Sequence, residues 1–507
     1  MALEYWEFIA ENVNSFANSE DDNYCSNILS LSYNNLPIHL KPCFLYMRAF
    51  PEDDEINVSE LIRLWVAEGF LKPIRGKSLE NVADEYLKDL IDRNMILIRK
   101  RKISRKIKTC SIHDLLRDLC LKEFEKEHFI YVPKMQRVDF FPPFSEMCFM
   151  CGRLSEIEII DLPGVHVAPK SPSLATLLVC HACRNMYPDF SRARLVRLKY
   201  TYSKSYKEFL LFTRLGYLNV QCKLDLGLTS PSTIPLLWNL KVLTLASSYN
   251  MDAKVLPSEI WEMPQLRHVI VRYAILPDPL VAQNHVILEN LQTLSNIENL
   301  RFTDEILERI PNVKKLEISY CRGDPKPNVV WSYYCLHNLV HLHKLESLSL
   351  SAKRFSLENI TFPHSLKKLH LYGCKIPWED MTIIGSSLPN LEVLALYHNA
   401  FKGPEWNPVE GQFLRLKVLC IWHNHHLVRW RAENVHFPNL ETLFLRFMST
   451  LEEIPSGIGD IPTLKYIHLV ICPDFVVDSA KRILEEQQSY GNESLQLFVD
   501  GDQVVVS

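Results

Sequence analysis

Apolar residues along most of this chain recur in the phrase LxxLxL, which begins at Leu174, Leu195, Leu215, Leu240, Leu266, Leu291, Val313, Leu345, Leu366, Leu391, Leu416, Leu440 and Leu464. The intervals run from 20 to 32 residues and settle at 24 to 25 over the last four repeats. That period belongs to leucine-rich repeats: each unit supplies one strand and cannot bury its apolar side alone, so neighbours stack into a solenoid. Alternation within a strand sends Leu391, Leu394 and Leu396 inward and Val393, Ala395 and Tyr397 outward. Proline stands two residues ahead of the phrase at Pro264, Pro311, Pro389, Pro438 and Pro462, where it fixes an extended φ and removes a donor before the strand begins. Eight residues after the first leucine stand Cys321, Cys374, Asn399, Asn424 and Cys472, in the slot where the repeat takes Asn or Cys. A side chain there is expected to be buried and to bond the turn backbone.

Ahead of the repeats the period becomes helical. The run LSYNNLPIHLKPCFLYMRAFPEDDEINVSELIRLWVAEGFL predicts short helices broken at Pro37 and Pro51, then a helix capped near Asn57 or Ser59. SLENVADEYLKDLIDRN predicts a second helix that buries Leu79, Val82, Ala83, Tyr86, Leu87 and Leu90. NMILIRK and IKTCSI read as two short strands separated by KRKISRK, and DLLRDLCLKEFEKE as a last helix. Helices followed by a hairpin make a winged-helix-like unit. The expected fold class is α+β and multidomain, a winged-helix-like domain followed by an α/β leucine-rich-repeat solenoid. Residues 131–170 fit neither pattern and read as a linker or a degenerate solenoid cap, ahead of a repeat domain over 171–507.

Composition narrows the class. At 507 residues the chain exceeds what one hydrophobic core serves, and 47% apolar with 23% charged residues is ordinary for a globular protein. A net charge of -4 gives no overall pull toward nucleic acid or an acidic membrane. The start, MALEYWEFIAENVNSFANSEDD, lacks the basic, apolar and small-residue regions of a secretory signal. No window approaches the ~18 apolar residues of a membrane-spanning helix, which leaves peripheral membrane association open. The 14 cysteines are scattered through apolar runs, as buried thiols are in a reducing, cytoplasmic setting. Cys148 and Cys151 with Cys180 and Cys183 imitate a paired CxxC zinc ribbon, but 28 residues separate the pairs and CHAC continues the strand LATLLV. Buried thiols are the expectation and zinc the alternative.

Stacked strands about 4.8 Å apart turn equivalent positions into stripes across the concave face. Six residues after the first leucine stand Tyr372, Tyr397, Trp422 and Arg446. One step further come His398, His423 and Phe447, and on the strands themselves His370, Phe444 and His468. Tyr, Trp and Arg dominate interface hot spots, so this band is the candidate partner-binding surface. Packing of the rings on one another is the plainer reading. The basic run RKRKISRKIK, Arg99 to Lys108, reads as a solvated hairpin with Ile103 and Ile107 inward or an intramolecular docking surface, ahead of an import signal or a DNA contact.

RGKSLEN contains Gly76-Lys77-Ser78, the tail of a phosphate-binding loop, but position 71 is Leu where that loop needs Gly, and a helix rather than a buried strand precedes it. Ser78 reads better as a helix N-cap, so no ATP hydrolysis, and no enzyme, is expected.

The segment from Leu31 to Phe70 resembles the C-terminal part of the NB-ARC nucleotide-binding module of plant coiled-coil-type disease-resistance proteins, especially the late-blight-resistance group. CFLYMRAFPED, LIRLWVAEGF and YLKDLIDRNMI follow in the family's order, and Ile112-His113-Asp114 falls at its Met-His-Asp motif with Ile at the apolar position. The resemblance implies that residues 1–24 are the remnant of a preceding helical subdomain and 25–130 the winged-helix-like end of the module. It further implies that the coiled coil and the P-loop half of the family are not in this chain. In the family the motif histidine contacts the β-phosphate of bound ADP, so His113 would be the nucleotide sensor, with Asp114 capping the next helix. ADP or ATP is the cofactor of complete members; without the P-loop donors, tight binding by this chain is not expected.

The function implied is that of an intracellular immune receptor, or part of one. Its repeats would recognise a pathogen effector or a guarded host protein, with full-length receptors as further partners, and its winged-helix part would belong to an ADP/ATP-controlled switch leading to defence and hypersensitive cell death. No nucleic-acid partner is expected. The rival from another class is an adaptor of a ubiquitin ligase, since NNLPIHLKPCFLYM loosely resembles an F-box helix ahead of leucine-rich repeats. A winged-helix DNA regulator is a third reading, and would show salt-dependent duplex binding.

Overall fold

In the computed structural model, residues 24–50, 54–101, 106–126, 157–161, 195–201, 217–222, 239–247, 254–279, 285–320, 331–353 and 355–504 are described. The chain divides into two compact units, residues 1–203 with 208–222, and residues 204–207 with 223–507.

The first unit opens with helices α1 (Tyr24–Asn34) and α2 (Lys41–Tyr46), the latter with Pro42 in its first turn, where a missing N–H costs nothing. Helix α3 (Val58–Glu68) starts where Asn57 Oδ1 accepts the Ser59 and Glu60 amides and stops at Gly69 in the left-handed conformation. Helix α4 (Leu79–Asp92) is capped by Ser78, which accepts the Asn81 amide. It buries Val82, Ala83, Tyr86, Leu87 and Leu90, whereas Leu79 in its first turn is only half-buried. Strands β1 (Ile56–Asn57), β2 (Leu97–Arg101) and β3 (Ile107–Ser111) form a three-stranded antiparallel sheet in the order β1-β3-β2. Helix α5 (Asp114–Lys126) closes back on the start of the unit: Cys120 Sγ donates to the Phe44 carbonyl at 3.4 Å and Arg117 Nε to that of Phe50 at 3.0 Å. Cys43, Cys110 and Cys120 are buried free thiols. The same unit holds β4 (Ile157–Asp161), antiparallel to β5 (Leu195–Thr201), which runs parallel to β6 (Tyr217–Cys222). Of the segment 131–170, only β4 is among the described residues, and Cys148, Cys151, Cys180, Cys183 and Cys321 lie outside them.

The second unit is the repeat array. Parallel strands follow in chain order as β7 (Val242–Ser247), β9 (His268–Ile275), β10 (Thr293–Glu298), β11 (Lys315–Tyr320), β12 (Ser347–Ala352), β13 (Lys368–Tyr372), β15 (Val393–Tyr397), β18 (Val418–Trp422), β20 (Thr442–Arg446), β21 (Tyr466–Val470) and β22 (Gln496–Val499). Each of these strands from β7 to β21 begins two residues after the leading apolar residue of its phrase; between them lie the two-residue strands β8 (Lys254–Val255), β14 (Ile376–Pro377), β16 (Phe401–Lys402), β17 (Glu405–Trp406) and β19 (Arg429–Trp430) and the helices α6 (Asp304–Arg309) and α7 (Met381–Ser387). The inward residues seal the core: Leu369, Leu371, Leu394, Leu419, Leu443 and Leu445 are all fully buried. Behind the strands, Trp378, Trp406 and Trp430 stack at 4.8 and 5.3 Å, a second apolar layer running from repeat to repeat. Asn424 sits buried in the turn slot, donating to the Phe401 carbonyl at 3.1 Å and accepting the His426 and Leu427 amides. Cys374 does the same more weakly, its thiol facing the Tyr372 carbonyl at 3.5 Å.

The array continues past the last LxxLxL phrase. Helix α8 (Asp474–Ser489) buries Val476, Ala480, Ile483 and Leu484 and leads to β22, which pairs with β21 and turns back into the antiparallel β23 (Asp502–Val504).

Candidate protein-recognition face

Outward residues of consecutive strands fall in register, so side chains 21 to 25 residues apart in sequence become neighbours. One row runs Ser351, Tyr372, Tyr397, Trp422, Arg446, Val470. Tyr372 and Tyr397 stack at 4.4 Å with their planes 9° apart, Trp422 follows at 5.6 Å from Tyr397, and the Arg446 guanidinium lies 4.3 Å from the Trp422 ring centre. Partial burial pushes the Tyr372 and Tyr397 phenols above their ordinary range, so both are neutral donors at physiological pH.

The residues directly after the strands form a second row. His398, His423, Phe447 and Ile471 all hold a left-handed backbone, φ 52 to 54°. The cause is the ladder: the His398 amide reaches the Trp422 carbonyl, that of His423 the Arg446 carbonyl, and that of Phe447 the Val470 carbonyl, each at 2.9 or 3.0 Å. Only a reversal of φ keeps that bond while the chain leaves the strand. The rings of this row stack as well, His398 on His423 at 4.9 Å and His423 on Phe447 at 4.1 Å. Burial, then His398, His425 and Arg446, hold the His423 ring below its usual pKa.

A third row, further back along the strands, runs Ser349, His370, Ala395, Cys420, Phe444, His468, Phe498. Phe444 meets His468 at 5.9 Å and His468 meets Phe498 at 4.8 Å. Ala395 and Cys420 point outward yet are buried, because taller neighbours in the flanking strands and rows close over small side chains. Tyr372, Tyr397, Trp422, Arg446, His398, His423 and Phe447 are thus brought into one band, while Phe444 belongs to the adjoining row. Phe498 is an addition that the LxxLxL phrase does not reveal, since its strand lies one unit past the last full phrase.

In the first unit Ile112 is buried and His113 and Asp114 are exposed. The helix start is capped by His113, not by Asp114: His113 Nδ1 accepts the Leu115 amide at 3.3 Å. Asp114 is the first helical residue, where its charge complements the positive end of the helix dipole. Gly76-Lys77-Ser78 is engaged structurally, with Lys77 Nζ 2.6 Å from Glu85 and Ser78 capping α4. Two members of the basic run are likewise engaged within the unit: Arg99 Nε donates to Ser111 Oγ across the hairpin at 2.7 Å, and Lys100 pairs with Glu55, just ahead of β1, at 2.9 Å. Ile107 is half-buried and Ile103 lies outside the described residues. Among the described residues no helix is long and apolar enough to cross a membrane.

Comparison with known proteins completes the picture. Residues 49–120 match the family model "Disease resistance protein Winged helix domain". Across 525 residues, 98% of this chain, it is 32% identical to "Late blight resistance protein R1-A" of Solanum demissum, covering 39% of that protein. The chain is related to the late-blight-resistance group of disease-resistance proteins. It is also 32% identical over 517 residues to "Putative late blight resistance protein homolog R1B-16" of the same species, again covering 39% of the relative, so it spans about two fifths of the length of the curated relatives it matches. Among solved structures it is similar to an internalin from Listeria monocytogenes, with TM-score 0.36 and 14% identity over 63% of this chain and 89% of the internalin.

Proposed function

We propose that the band from Tyr372 to Phe447 is where this disease-resistance chain takes hold of a protein partner, a pathogen effector or a host protein under its guard, and that engagement feeds a nucleotide-controlled switch leading to defence and localised cell death. The observation that carries the reading is the contiguous outward band of Tyr372, Tyr397, Trp422, Arg446, His398, His423 and Phe447. Rings and guanidinium are only half-buried over most of the band, and such residues give much contact area for little lost side-chain entropy. The names of the relatives support resistance as the setting.

The winged-helix part offers one feature to a switch. Because His113 Nδ1 accepts an amide proton, the neutral ring carries its own proton on Nε2, which suits a phosphate oxygen of a bound nucleotide. The experiment for the band uses leaves expressing a late-blight-resistance relative in which this chain replaces the corresponding region. Tyr397→Ala with Trp422→Ala is expected to abolish pathogen-triggered cell death at unchanged protein level. An undiminished response would overturn the assignment.

A further inference from the structure

The charge on the band is one-sided. No Asp or Glu occupies an outward strand position from Lys368 to Val470, while Lys368 and Arg446 are there. Glu346, Glu392 and Glu441 stand one residue before the starts of β12, β15 and β20, at the ends of the strands away from Arg446, and Glu346 and Glu441 face Lys367 and Lys465 at 3.5 and 3.8 Å. Among the described residues Arg446 lies over two rings, Trp422 at 4.3 Å and Phe447 at 5.1 Å. Its Nε and the Trp422 Nε1 are buried donors with no acceptor among the described residues. A buried N–H left without an acceptor costs about 1–3 kcal/mol, so two together at the centre of an otherwise well-packed face call for a reason. His398 and His423 border the same spot.

We propose that Arg446 and Trp422, walled by Tyr397, His398 and His423, form a carboxylate-receiving subsite, and that the partner of this face is a protein segment presenting an Asp or Glu beside apolar side chains. A carboxylate takes two parallel N–H bonds from a guanidinium, and the rings beneath hold that guanidinium flat and exclude water. As Arg446 lifts toward the acid it uncovers the Trp422 N–H for a second acceptor, and both orphan donors are satisfied at once. The rings around supply apolar area for the flanking residues. This rests on the reading of the band as a partner surface and adds which chemistry the partner must carry.

A random-peptide display library selected on the full 507-residue chain tests both levels. Peptides whose binding is lost with Tyr397→Ala are expected to be enriched in Asp or Glu. Replacing the selected acid by its amide should weaken binding about tenfold, and Arg446→Gln should do the same, with Arg446→Lys between wild type and Gln because it keeps the charge but not the fork. The urea midpoint of each variant serves as the check on folding. Tyr397-dependent peptides that carry no excess of acids and ignore Arg446→Gln would overturn the subsite while leaving the band as a binding surface. Selection that yields no peptide sensitive to any substitution in the band would overturn both.

Discussion

His370 shows how one residue of the outward face is tied to its surroundings. Its row passes from Glu317 through Ser349 to His370 and then to the small Ala395. Glu317 is committed elsewhere, to Lys315 at 2.7 Å and to the Ser295 hydroxyl, so it cannot serve a protonated imidazole well. Burial holds the His370 pKa down to about 4, with Lys315 and Lys368 pushing the same way and Glu317 opposing. The unfolded chain, with an ordinary value near 6.5, therefore takes up this proton first as pH falls. Stability is fully present above about 6.5 and is lost as pH drops toward 4, by roughly 2 kcal/mol at pH 5. His370→Gln removes that loss. The urea midpoint of the wild type should fall more between pH 7 and pH 5 than that of the variant; parallel falls would show that the ring is not held neutral by the fold.

At the scale of elements, the C-terminal helix depends on a glycine for its seat. A Cβ on Gly459 would lie 2.7 Å from Ile483 Cγ2 and 3.2 Å from the Ser456 carbonyl, and Ile483 is buried on α8 with nowhere to retreat. Gly459→Val should cost about 1–3 kcal/mol through overpacking. Hydrogen exchange should localise it: amides of Asp474–Ser489 and of Gln496–Val499 lose protection while those of Ser347–Ala352 keep theirs, and a uniform change along the array would contradict the local account. That helix and its hairpin are also what the repeat phrase does not disclose. The apolar spacing at Val476, Ala480, Ile483 and Leu484 is helical and readable, but the strand after it, SLQLFV, carries only the end of an LxxLxL phrase. By contrast, the starts of the array strands from β7 to β21 were legible to the residue, because apolar residues at the first, fourth and sixth positions leave one way to bury them; β10 departs at its sixth position, where Asn296 turns left-handed at a bulge and Ile297 takes the buried place. The alignment of Tyr372, Tyr397, Trp422 and Arg446 follows from that same register. The left-handed turn at His398, His423, Phe447 and Ile471 was not legible: a mild preference of His does not extend to Phe or β-branched Ile, and the amide's acceptor lies in the next unit, a strand-end carbonyl for the first three and Asp500 Oδ1 for Ile471. The cap at His113 escaped for a related reason. Asp is the stronger capping residue on average, but the helix begins at Asp114 itself and leaves the capping position to the histidine.

At the scale of the whole molecule, the two proposed roles, partner binding and nucleotide contact, make different demands on the two units. A repeat array is stabilised by neighbour on neighbour, so the outward band of the second unit is formed by strands packed directly on one another. A nucleotide site is different. It needs several backbone and side-chain donors converging on the phosphates, and one histidine supplies a single bond worth about 1–3 kcal/mol, against the ~8 kcal/mol of micromolar affinity. The described glycine-lysine-serine sequence cannot add to it, since Lys77 faces Glu85 and Ser78 holds the start of α4. Calorimetric titration of the chain with ADP is therefore expected to give no saturable heat at micromolar nucleotide, for the wild type and for His113→Ala alike. Saturation at micromolar ADP that disappears in His113→Ala would mean that donors beyond these converge on the nucleotide, and that the chain can switch by itself. If the expected result holds, the exposed His113 imidazole does not make a nucleotide site with the described residues around it, and the proposal for this chain rests on the outward band of the second unit.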